Sequence, residues 1–421
     1  MKRISFCIFL IVCALSLTGC NLLPLGAHIT SSPTPLLEIQ VGSATQVVNS
    51  TPAFTASPSP NQTPATTMPP TPFPSASPIP TETQTPMTVR AIRIDYPNFA
   101  TSRDEVVILD QKMRQAGVNL VALGAGRLDW NYFTWAEHPE WWSGDVKDTG
   151  IDFLAEEIAR FRPWAKHINI VVDVFASRYL ENHPEAAAIS AQGVPSTYLV
   201  STMQLVEGEF GQDLLSMLDY LAANYPVDSI SITELAYRVD GYGEDDKAAY
   251  LAYTGQEDWP RRVGGKIDID HASIGKWRSY EISRFIEKAA EVVHKHGKEL
   301  FVDVNMNPQY LKNEASEYGQ NYRLLLKYAD RLVVWDYFGL SGQRPEKVKE
   351  IADFFSQYGS GKTILSFGLW AKNGGTIKAN QLRLGVQAGL ESKIPHLWIT
   401  PSHLMNDDHW QVLIDLWGTQ S

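Results

Sequence analysis

The chain has 421 residues, and its hydrophobic content of 44% is enough for a large buried core. Its 47 acidic residues outnumber the 36 basic ones, which gives a formal net charge of −11. An acidic chain without a basic cluster is poorly suited to the phosphate backbone, so the composition argues against a nucleic-acid-binding protein. The three cysteines form no Cys/His cluster with metal-ligand spacing, and we expect neither a metal nor a cofactor.

The N-terminal segment has the pattern of an export signal. A basic pair at residues 2–3 precedes an apolar run at 4–15 that is too short to span a bilayer comfortably, and Leu-Thr-Gly-Cys follows at 17–20. This order resembles the lipobox of bacterial lipoproteins, in which the cysteine is lipidated and becomes the mature N-terminus. An ordinary secretory signal with a chance cysteine is the alternative. We predict a lipoprotein signal peptide over 1–19 and an acylated Cys20 that anchors the chain to the extracytoplasmic face of the cell membrane.

Residues 20–88 are rich in Pro, Ser and Thr and contain few large apolar side chains. Such a segment cannot bury enough surface to offset the entropy lost on ordering, and its prolines favour extended conformations. We predict a disordered, semi-rigid linker that holds the next domain away from the lipid surface. A ligand for a proline-binding module is the alternative. The remaining residues, 89–421, are predicted to carry the fold.

Apolar segments typical of strands and of helices alternate along residues 89–421. The predicted strands are Ala91–Tyr96, Asn119–Gly124, Ile168–Phe175, Ser229–Leu235, Glu299–Met306, Arg331–Phe338, Thr363–Trp370 and His396–Thr400. The predicted helices are Asp104–Ala116, Ile151–Arg162, Gly211–Asn224, Trp277–His296, Pro345–Tyr358, Ala379–Ser392 and Asp407–Trp417. This pattern predicts an α/β fold, a (β/α)8 TIM barrel. A doubly wound sheet is the competing fold, but it usually carries a Gly-rich phosphate turn, and none is present.

Active sites of TIM barrels lie at the carboxyl ends of the strands. Alternation along the first, third and fifth strands separates side chains that point into the barrel from side chains that point towards the helices. The inward set is Arg93, Asp95, Asp173, Asp303 and Asn305, and the outward set is Ile94, Val172, Val174, Val302 and Val304. Three inward acids are too many unpaired charges for a dry core. We expect them to pair with Arg93 and neighbouring donors or to line a wet cleft.

Acids and aromatic rings occur together at the predicted strand ends, which is typical of carbohydrate sites. Sugar rings have apolar faces that stack on aromatic side chains, and their hydroxyls hydrogen-bond to acids and amides. The predicted substrate-binding residues are Tyr96, Asp129, Trp130, Asn305, Trp335, Asp336, Tyr337, Trp370 and Trp398. Tryptophan is also ordinary packing material, which is the use expected of Trp164, Trp277 and Trp417. The loop that carries Trp130, Trp135, Trp141 and Trp142 is open to either use, and the acidic run Glu244–Asp246 is expected to be a solvated loop.

Glycoside hydrolysis usually needs one carboxyl that protonates the leaving oxygen and a second group that acts at the anomeric carbon or on a water. Glu234, at the end of the fourth strand, is the predicted acid, because partial burial there would raise its pKa. Alternation with Ile230 and Ile232 would turn it outward unless the strand end bulges or turns, and a Glu bonded to loop amides is the alternative. The candidates for the second role are Asp95, Asp173, Asp303 and Asp336, each with site shaping or salt bridging as the alternative.

Several short motifs between about residues 92 and 340 carry a family resemblance. They are Ile94-Asp95-Tyr96, residues 225–234, Lys276-Trp277-Arg278-Ser279, Asp303-Val304-Asn305 and residues 328–335. The chain here resembles the C-terminal hydrolase domain of the PgaB-type lipoproteins of poly-N-acetylglucosamine export, and related glycoside hydrolase-like barrels. In that family the fourth strand ends in two aspartates, one of them the proposed general acid. Here Glu234 retains the carboxyl and Leu235 removes its partner.

Two functions remain open at this stage. One is a membrane-tethered, extracytoplasmic glycoside hydrolase that acts on a surface or cell-wall polysaccharide, with amino sugars as candidate components. Its second catalytic group is a strand-end acid or the substrate's own acetamido group. The other is a non-catalytic polysaccharide-binding lipoprotein with a degenerate hydrolase site. An acidic domain suits neutral or cationic glycans in either case.

Overall fold

The computed structural model describes residues 87–95, 103–306 and 318–418. Its eight long strands are β1 (Arg90–Ile94), β2 (Leu120–Arg127), β3 (His167–Asp173), β4 (Ser229–Thr233), β5 (Glu299–Asn305), β6 (Arg331–Asp336), β7 (Thr363–Gly368) and β8 (Leu397–Thr400). Each strand pairs in parallel with its neighbours in this order. Ala91 of β1 aligns with both Leu120 of β2 and Trp398 of β8, so the sheet closes on itself. The predicted TIM barrel is confirmed.

Helices surround the barrel in the described part of the chain. They are α1 (Arg103–Gln115), α2 (Gly144–Thr149), α3 (Phe153–Phe161), α4 (Ser177–Asn182), α5 (Thr202–Val206), α6 (Glu209–Asn224), α7 (Glu244–Thr254), α8 (Ala272–His294), α9 (Tyr322–Leu325), α10 (Phe338–Ser341), α11 (Val348–Phe355), α12 (Ala379–Leu390) and α13 (Asp407–Trp417). Short 3₁₀ turns lie at Pro139–Trp141, Pro184–Ala186, Pro345–Lys347, Ser356–Tyr358, Ser360–Lys362 and Ser402–Leu404. Trp130–Asn131 pairs antiparallel with β2, and Ala187–Ile189 forms a hairpin with Pro195–Val200.

Several helices start at a capping residue whose side chain accepts a hydrogen bond from the backbone of the first turn. Asp152 accepts the backbone N–H of Ala155 at 2.8 Å at the start of α3. Asn406 accepts the N–H of His409 at 3.0 Å at the start of α13. Each bond satisfies a helix donor that has no partner within the helix.

Two apolar layers lie on opposite faces of the sheet. The layer inside the barrel consists of Val89, Ala91, Leu120, Ala122, Val171, Phe301, Val333, Ile364 and Trp398. The predicted outward residues belong to the larger layer beneath the helices, namely Ile94, Val172, Val174, Val302 and Val304. Trp277 and Trp417 are fully buried, and Trp164 packs against the outer layer, as predicted. Strand alternation therefore fixes which face each side chain serves.

The acidic run Glu244–Asp246 is not a solvated loop. It forms the first turn of α7, where negative side chains interact favourably with the helix dipole. Asp246 is fully buried and accepts the backbone N–H of Met203 at 3.1 Å, while Asp245 accepts a hydrogen bond from the Ser201 hydroxyl. The interpretation as a loop was wrong because a charge run does not reveal which carboxylates have internal donors.

No helix among residues 87–95, 103–306 and 318–418 is long and apolar enough to cross a bilayer. Cys20, the signal peptide and residues 20–86 of the predicted linker lie outside the described residues. The lipid anchor, the linker and the cell-surface location therefore stay predictions.

A comparison of Trp398 with Trp370 tests the assignment of Trp398 to the inner apolar layer. Trp398 is 1% exposed inside the barrel, so Trp398→Ala should lower the free energy of unfolding by about 3–5 kcal/mol through the lost burial and the cavity left behind. Trp370 is only half-buried, so Trp370→Ala should cost less. Urea unfolding of the full chain and both variants measures this difference. An equal or smaller loss for Trp398→Ala would contradict the assignment of Trp398 to the core.

Candidate active site at the barrel mouth

The carboxyl ends of the strands bring oppositely charged side chains together. Arg93 on β1 points inward, and its Nε lies 3.0 Å from Oδ1 of Asp95. The other Asp95 oxygen, Oδ2, lies 3.5 Å from Nδ1 of His403, in the segment that follows β8. Asp95 therefore links the two strands at which the barrel closes.

Arg93 is the positive centre of the mouth. Burial by itself disfavours the charged guanidinium, but the negative charges of Asp95, Asp303 and Asp173 outweigh it, and the pKa of Arg93 is raised. The side chain therefore stays ionised. As expected, the inward acids interact with Arg93. Asp173 and Asp303 act through their charge, and Asp95 makes the direct contact.

Asp173 and Asp303 occupy the ends of β3 and β5. Asp173 accepts the backbone N–H of Phe175 at 2.8 Å, and Asp303 accepts the indole N–H of Trp335 at 3.2 Å. Burial raises the pKa of each to about 6, against the opposing effects of these hydrogen bonds and of Arg93. Both carboxyls are therefore largely ionised at neutral pH.

Glu234 begins the loop after β4 in an unusual backbone conformation. Its φ is 68°, in the left-handed region, and it is the sole non-glycine residue with positive φ in the described ranges. A left-handed residue directly after a strand breaks the alternation of side-chain directions, which would otherwise turn Glu234 outward with Ile230 and Ile232. The alternation in the sequence required the end of β4 to bulge or turn if Glu234 is to face the barrel, and this turn is present.

The Glu234 carboxyl lies among the inward charges. Burial raises its pKa to about 8, and the negative charges of Asp173 and Asp303 add to this while Arg93 opposes it. Within the described residues no hydrogen bond to this carboxyl is present, so the alternative of a Glu bonded to loop amides has no support there. Glu234 therefore holds a proton at neutral pH and can donate it.

Aromatic side chains form one wall beside these acids. The rings of Trp335 and Tyr337 stack 5.3 Å apart with an interplanar angle of 13°, and Tyr337 lies 5.3 Å from Trp370. All three are half-buried, so part of each remains accessible to a ligand. A Cβ at Gly368 would lie 2.6 Å from Tyr337 and 2.9 Å from Trp370, so only glycine lets both rings approach β7 this closely.

Two residues predicted to bind substrate are occupied by internal contacts instead. Oδ1 of Asp129 accepts a hydrogen bond from Nε of Arg127 at 2.5 Å. Its Oδ2 accepts hydrogen bonds from the backbone N–H groups of Arg178 and Tyr179 at 2.6 and 2.9 Å. It therefore fixes the start of α4. Trp130 lies under the guanidinium groups of Arg127 and Arg178, each 5.4 Å from the ring centroid.

Three further candidates differ in placement. Trp398 belongs to the apolar layer inside the barrel, beneath the mouth. Asp336 has the outward parity, is 3% exposed, and burial raises its pKa to about 7, so it lies apart from the other acids. Asn305 stands at the end of β5, where its backbone is held by the side chains of Gln320 and Tyr322. Tyr96 lies outside the described residues.

Sequence reasoning missed Arg127, Gln320 and His403 as parts of the mouth. Arg127 was missed because β2 was expected to end at Gly124, whereas it continues past an irregularity at Gly124–Gly126. Extending the strand-end rule by three residues would have found it. Gln320 and His403 lie in loops and become neighbours of Asn305 and Asp95 only through the closed sheet, so no local pattern marks them.

A separate concavity of about 670 Å³ lies on the outer face between α6, α8 and the loop after β2. Its aromatic rings pack on one another: Trp135 is 2% exposed and stacks on Tyr220 at 5.3 Å. Trp142 donates its indole N–H to the carbonyl of Trp135 at 2.9 Å. These tryptophans therefore serve packing away from the mouth.

The fold is similar to that of known glycoside hydrolases. The PgaB (BpsB) glycoside hydrolase domain from Bordetella bronchiseptica aligns with 80% of this chain and 100% of its own length, with 15% identity and a TM-score of 0.58. β-Galactosidases from Marinomonas ef1 and Rahnella sp. R3 align with TM-scores of 0.54 and 0.55 at 11% and 9% identity. They match 78% and 80% of this chain, which spans 58% and 56% of theirs. No protein-family model and no curated protein sequence matches the chain.

At these identities the similarity concerns the fold, and the predicted resemblance to the PgaB hydrolase domain is confirmed at that level. The chain therefore has a glycoside hydrolase-like TIM barrel. Because one fold hosts many activities, the function must be inferred from the side chains at the mouth.

The raised pKa of Glu234 gives a stability prediction. A carboxyl that binds its proton more tightly in the folded chain opposes folding increasingly as pH rises from its ordinary value of 4.5 to about 8. Glu234→Gln lacks this effect, so its free energy of unfolding should fall less across that interval than the parent's. Urea unfolding of both proteins at a series of pH values measures the difference. Parallel curves would contradict the raised pKa.

Proposed function

We propose that this protein is a membrane-tethered, extracytoplasmic glycoside hydrolase that acts on a surface or cell-wall polysaccharide. The observation that carries the proposal is that Glu234 turns towards the inward acids at a barrel mouth lined by aromatic rings, where burial and the charge of Asp173 raise its pKa. Most glycoside hydrolases use one protonated carboxyl together with a second, ionised carboxyl for glycosidic cleavage.

Glu234 is the proposed general acid. With a pKa of about 8 it is protonated at neutral pH and can transfer its proton to the glycosidic oxygen as the bond to the anomeric carbon breaks. The resulting carboxylate lies in range of the positive charge of Arg93, which favours the ionised form. Proton donation is thus assisted by a fixed cation.

Asp173 is the leading candidate for the second role. Its charge is the strongest of those that raise the pKa of Glu234, so the two carboxyls are electrostatic partners. The hydrogen bond from Trp335 orients Asp303, which suits this carboxylate to stabilising positive charge on the sugar or supporting an acetamido group. Asp95, held by Arg93 and His403, is suited to shaping the site.

The substrate class follows from the wall and the charge of the mouth. Trp335, Tyr337 and Trp370 present rings on which sugar faces can stack, as expected for a polysaccharide. The carboxylates outnumber Arg93, so the mouth attracts amines and repels acidic sugars. We therefore propose a neutral or cationic glycan that contains amino sugars.

The proposed location rests on the N-terminal sequence. Acyl chains on Cys20 would hold the protein at the membrane, and the Pro/Ser/Thr-rich linker would place the barrel within reach of the surrounding polysaccharide. Mass spectrometry of the mature chain tests the anchor by the mass of the lipid on Cys20.

A non-catalytic polysaccharide-binding protein is the second candidate. It is favoured by Leu235, which stands where the resembling family has a second aspartate and is fully buried in the outer apolar layer. Under this alternative the aromatic wall binds glycan and the acids do not turn it over.

Replacement of the Glu234 carboxyl by an amide distinguishes a hydrolase from a non-catalytic binding protein. Glu234→Gln should lower the rate of polysaccharide hydrolysis by about 10²–10⁴-fold while glycan binding persists. Glu157→Gln is the matched control, because Glu157 is also buried and has a pKa raised to about 7, but lies on α3 in the outer layer. Reducing-end release from a panel of defined oligosaccharides measures the rates. Equal digestion by parent and Glu234→Gln would remove Glu234 from the mechanism, and binding without turnover by the parent would favour the second candidate.

The two pKa values also predict the pH profile. Activity should rise as Asp173 ionises near pH 6 and fall as Glu234 loses its proton near pH 8, which gives a bell-shaped dependence of kcat/KM. Asp173→Asn should abolish most activity and remove the acidic limb from what remains. A kcat/KM that stays level below pH 6 and above pH 8 would contradict the assignment of the pair.

A further inference from the structure

One motif that carries the family resemblance has no part in the chemistry described so far. Lys276-Trp277-Arg278-Ser279 lies in α8, on the outside of the barrel. Arg278 is fully buried, which is rare for arginine unless its charge and donors are satisfied. Its contacts therefore indicate what the motif does.

Arg278 is directed at the loop that begins with Glu234. Its guanidinium donates to the backbone carbonyl of Asp240 at 2.8 Å and to that of Arg238 at 3.3 Å. The same group lies over the ring of Tyr242, 4.7 Å from the centroid, and the Tyr242 hydroxyl donates to the carbonyl of Arg238 at 3.1 Å. One side chain thus holds residues 238–242 in place.

The charge of Arg278 acts on two buried acids. It lowers the pKa of both Asp240 and Asp246, although burial raises each of them overall. Asp246 also accepts the N–H of Met203, so the cluster joins α5, α7 and α8. A cation so surrounded is a fixed part of the interior and not a mobile surface charge.

The loop needs such support because Glu234 starts it with φ of 68°. A left-handed conformation is unfavourable for residues other than Gly, Asn and Asp, and it persists only where surrounding contacts enforce it. The carbonyl of Arg238, four residues after Glu234, accepts a hydrogen bond from Arg278.

We propose that Arg278 is a positioning residue that holds the loop after β4 so that the Glu234 carboxyl points into the barrel mouth. This deepens the proposed function and rests on it for its catalytic consequence. The positional claim itself concerns only the direction of a side chain, so it can be measured whether or not the protein hydrolyses glycan.

The test compares Arg278→Lys with Arg284→Lys in the full-length chain. Lysine keeps the charge at 278 but cannot span both carbonyls. Arg284 lies on the same helix, is half-buried, and pairs with exposed Glu207 and buried Glu281, so Arg284→Lys controls for general effects on α8. Tyr242→Phe removes one hydroxyl from the same loop and serves if Arg278→Lys fails to fold.

The first readout is the pKa of Glu234, measured by NMR titration of ¹³C-labelled glutamate carboxyls with Glu234→Gln to identify the resonance. In the parent we expect about 8. In Arg278→Lys the carboxyl should turn towards water, and its pKa should move down towards 4.5, its ordinary value. Lysine keeps the positive charge at 278, and loss of a cation would raise the pKa of an acid, so a fall reports lost position and not lost charge.

The second readout is kinetic. Arg278→Lys should lower kcat by about 100-fold with little change in KM, because the aromatic wall is untouched and only the acid is misplaced. Arg284→Lys should resemble the parent in both readouts. An unchanged Glu234 pKa in a folded Arg278→Lys and in Tyr242→Phe would overturn the proposal. If the pKa falls but the parent hydrolyses nothing, the positioning role stands and the proposed function fails.

Discussion

The crowding of carboxyls around Arg93 in a largely buried mouth is the constraint on which the site depends. Like charges in such a place cannot all ionise, and a single buried guanidinium compensates only some of them. Glu234 therefore keeps its proton, because burial and the neighbouring carboxylates both raise its pKa. Asp173 loses its proton more readily, because a hydrogen bond from the backbone supports its charge. The separation of an acid from an ionised carboxylate is a consequence of this unequal support.

Backbone conformation turns this electrostatic arrangement into a site. The strand that delivers Glu234 would place it in the outer apolar layer, beside Ile232, if its alternation continued. The left-handed residue reverses the direction of the side chain, and the contacts of Arg278 with the following loop offset the unfavourable backbone geometry. Leu235, next in the chain, takes the outward direction and is fully buried. A leucine at this position thus fits the local packing.

Similarity to solved structures reaches only as far as the barrel. A domain with 15% identity aligns with 80% of the chain, because a barrel core accepts many different apolar side chains as long as the hydrophobic pattern and the total volume are kept. Carboxyls and rings at the strand ends are under no such packing rule. The function is inferred from them and not from the fold, and Gly368 shows how a single position without a side chain admits two rings of the wall.

The sequence by itself determined the barrel, the order of its strands and the face served by each inward and outward residue, because these follow from local periodicity. Thus Arg93, Asp173 and Asp303 were assigned to the interior correctly, and strand ends were placed within about three residues. Only the tertiary structure decided which of these groups meet. The pairing of Asp95 with His403, the commitment of Asp129 to α4 and the turn at Glu234 depend on contacts between segments far apart in the chain or on one dihedral angle. No pattern of neighbouring residues encodes such contacts, since they arise when the closed sheet brings its strand ends together.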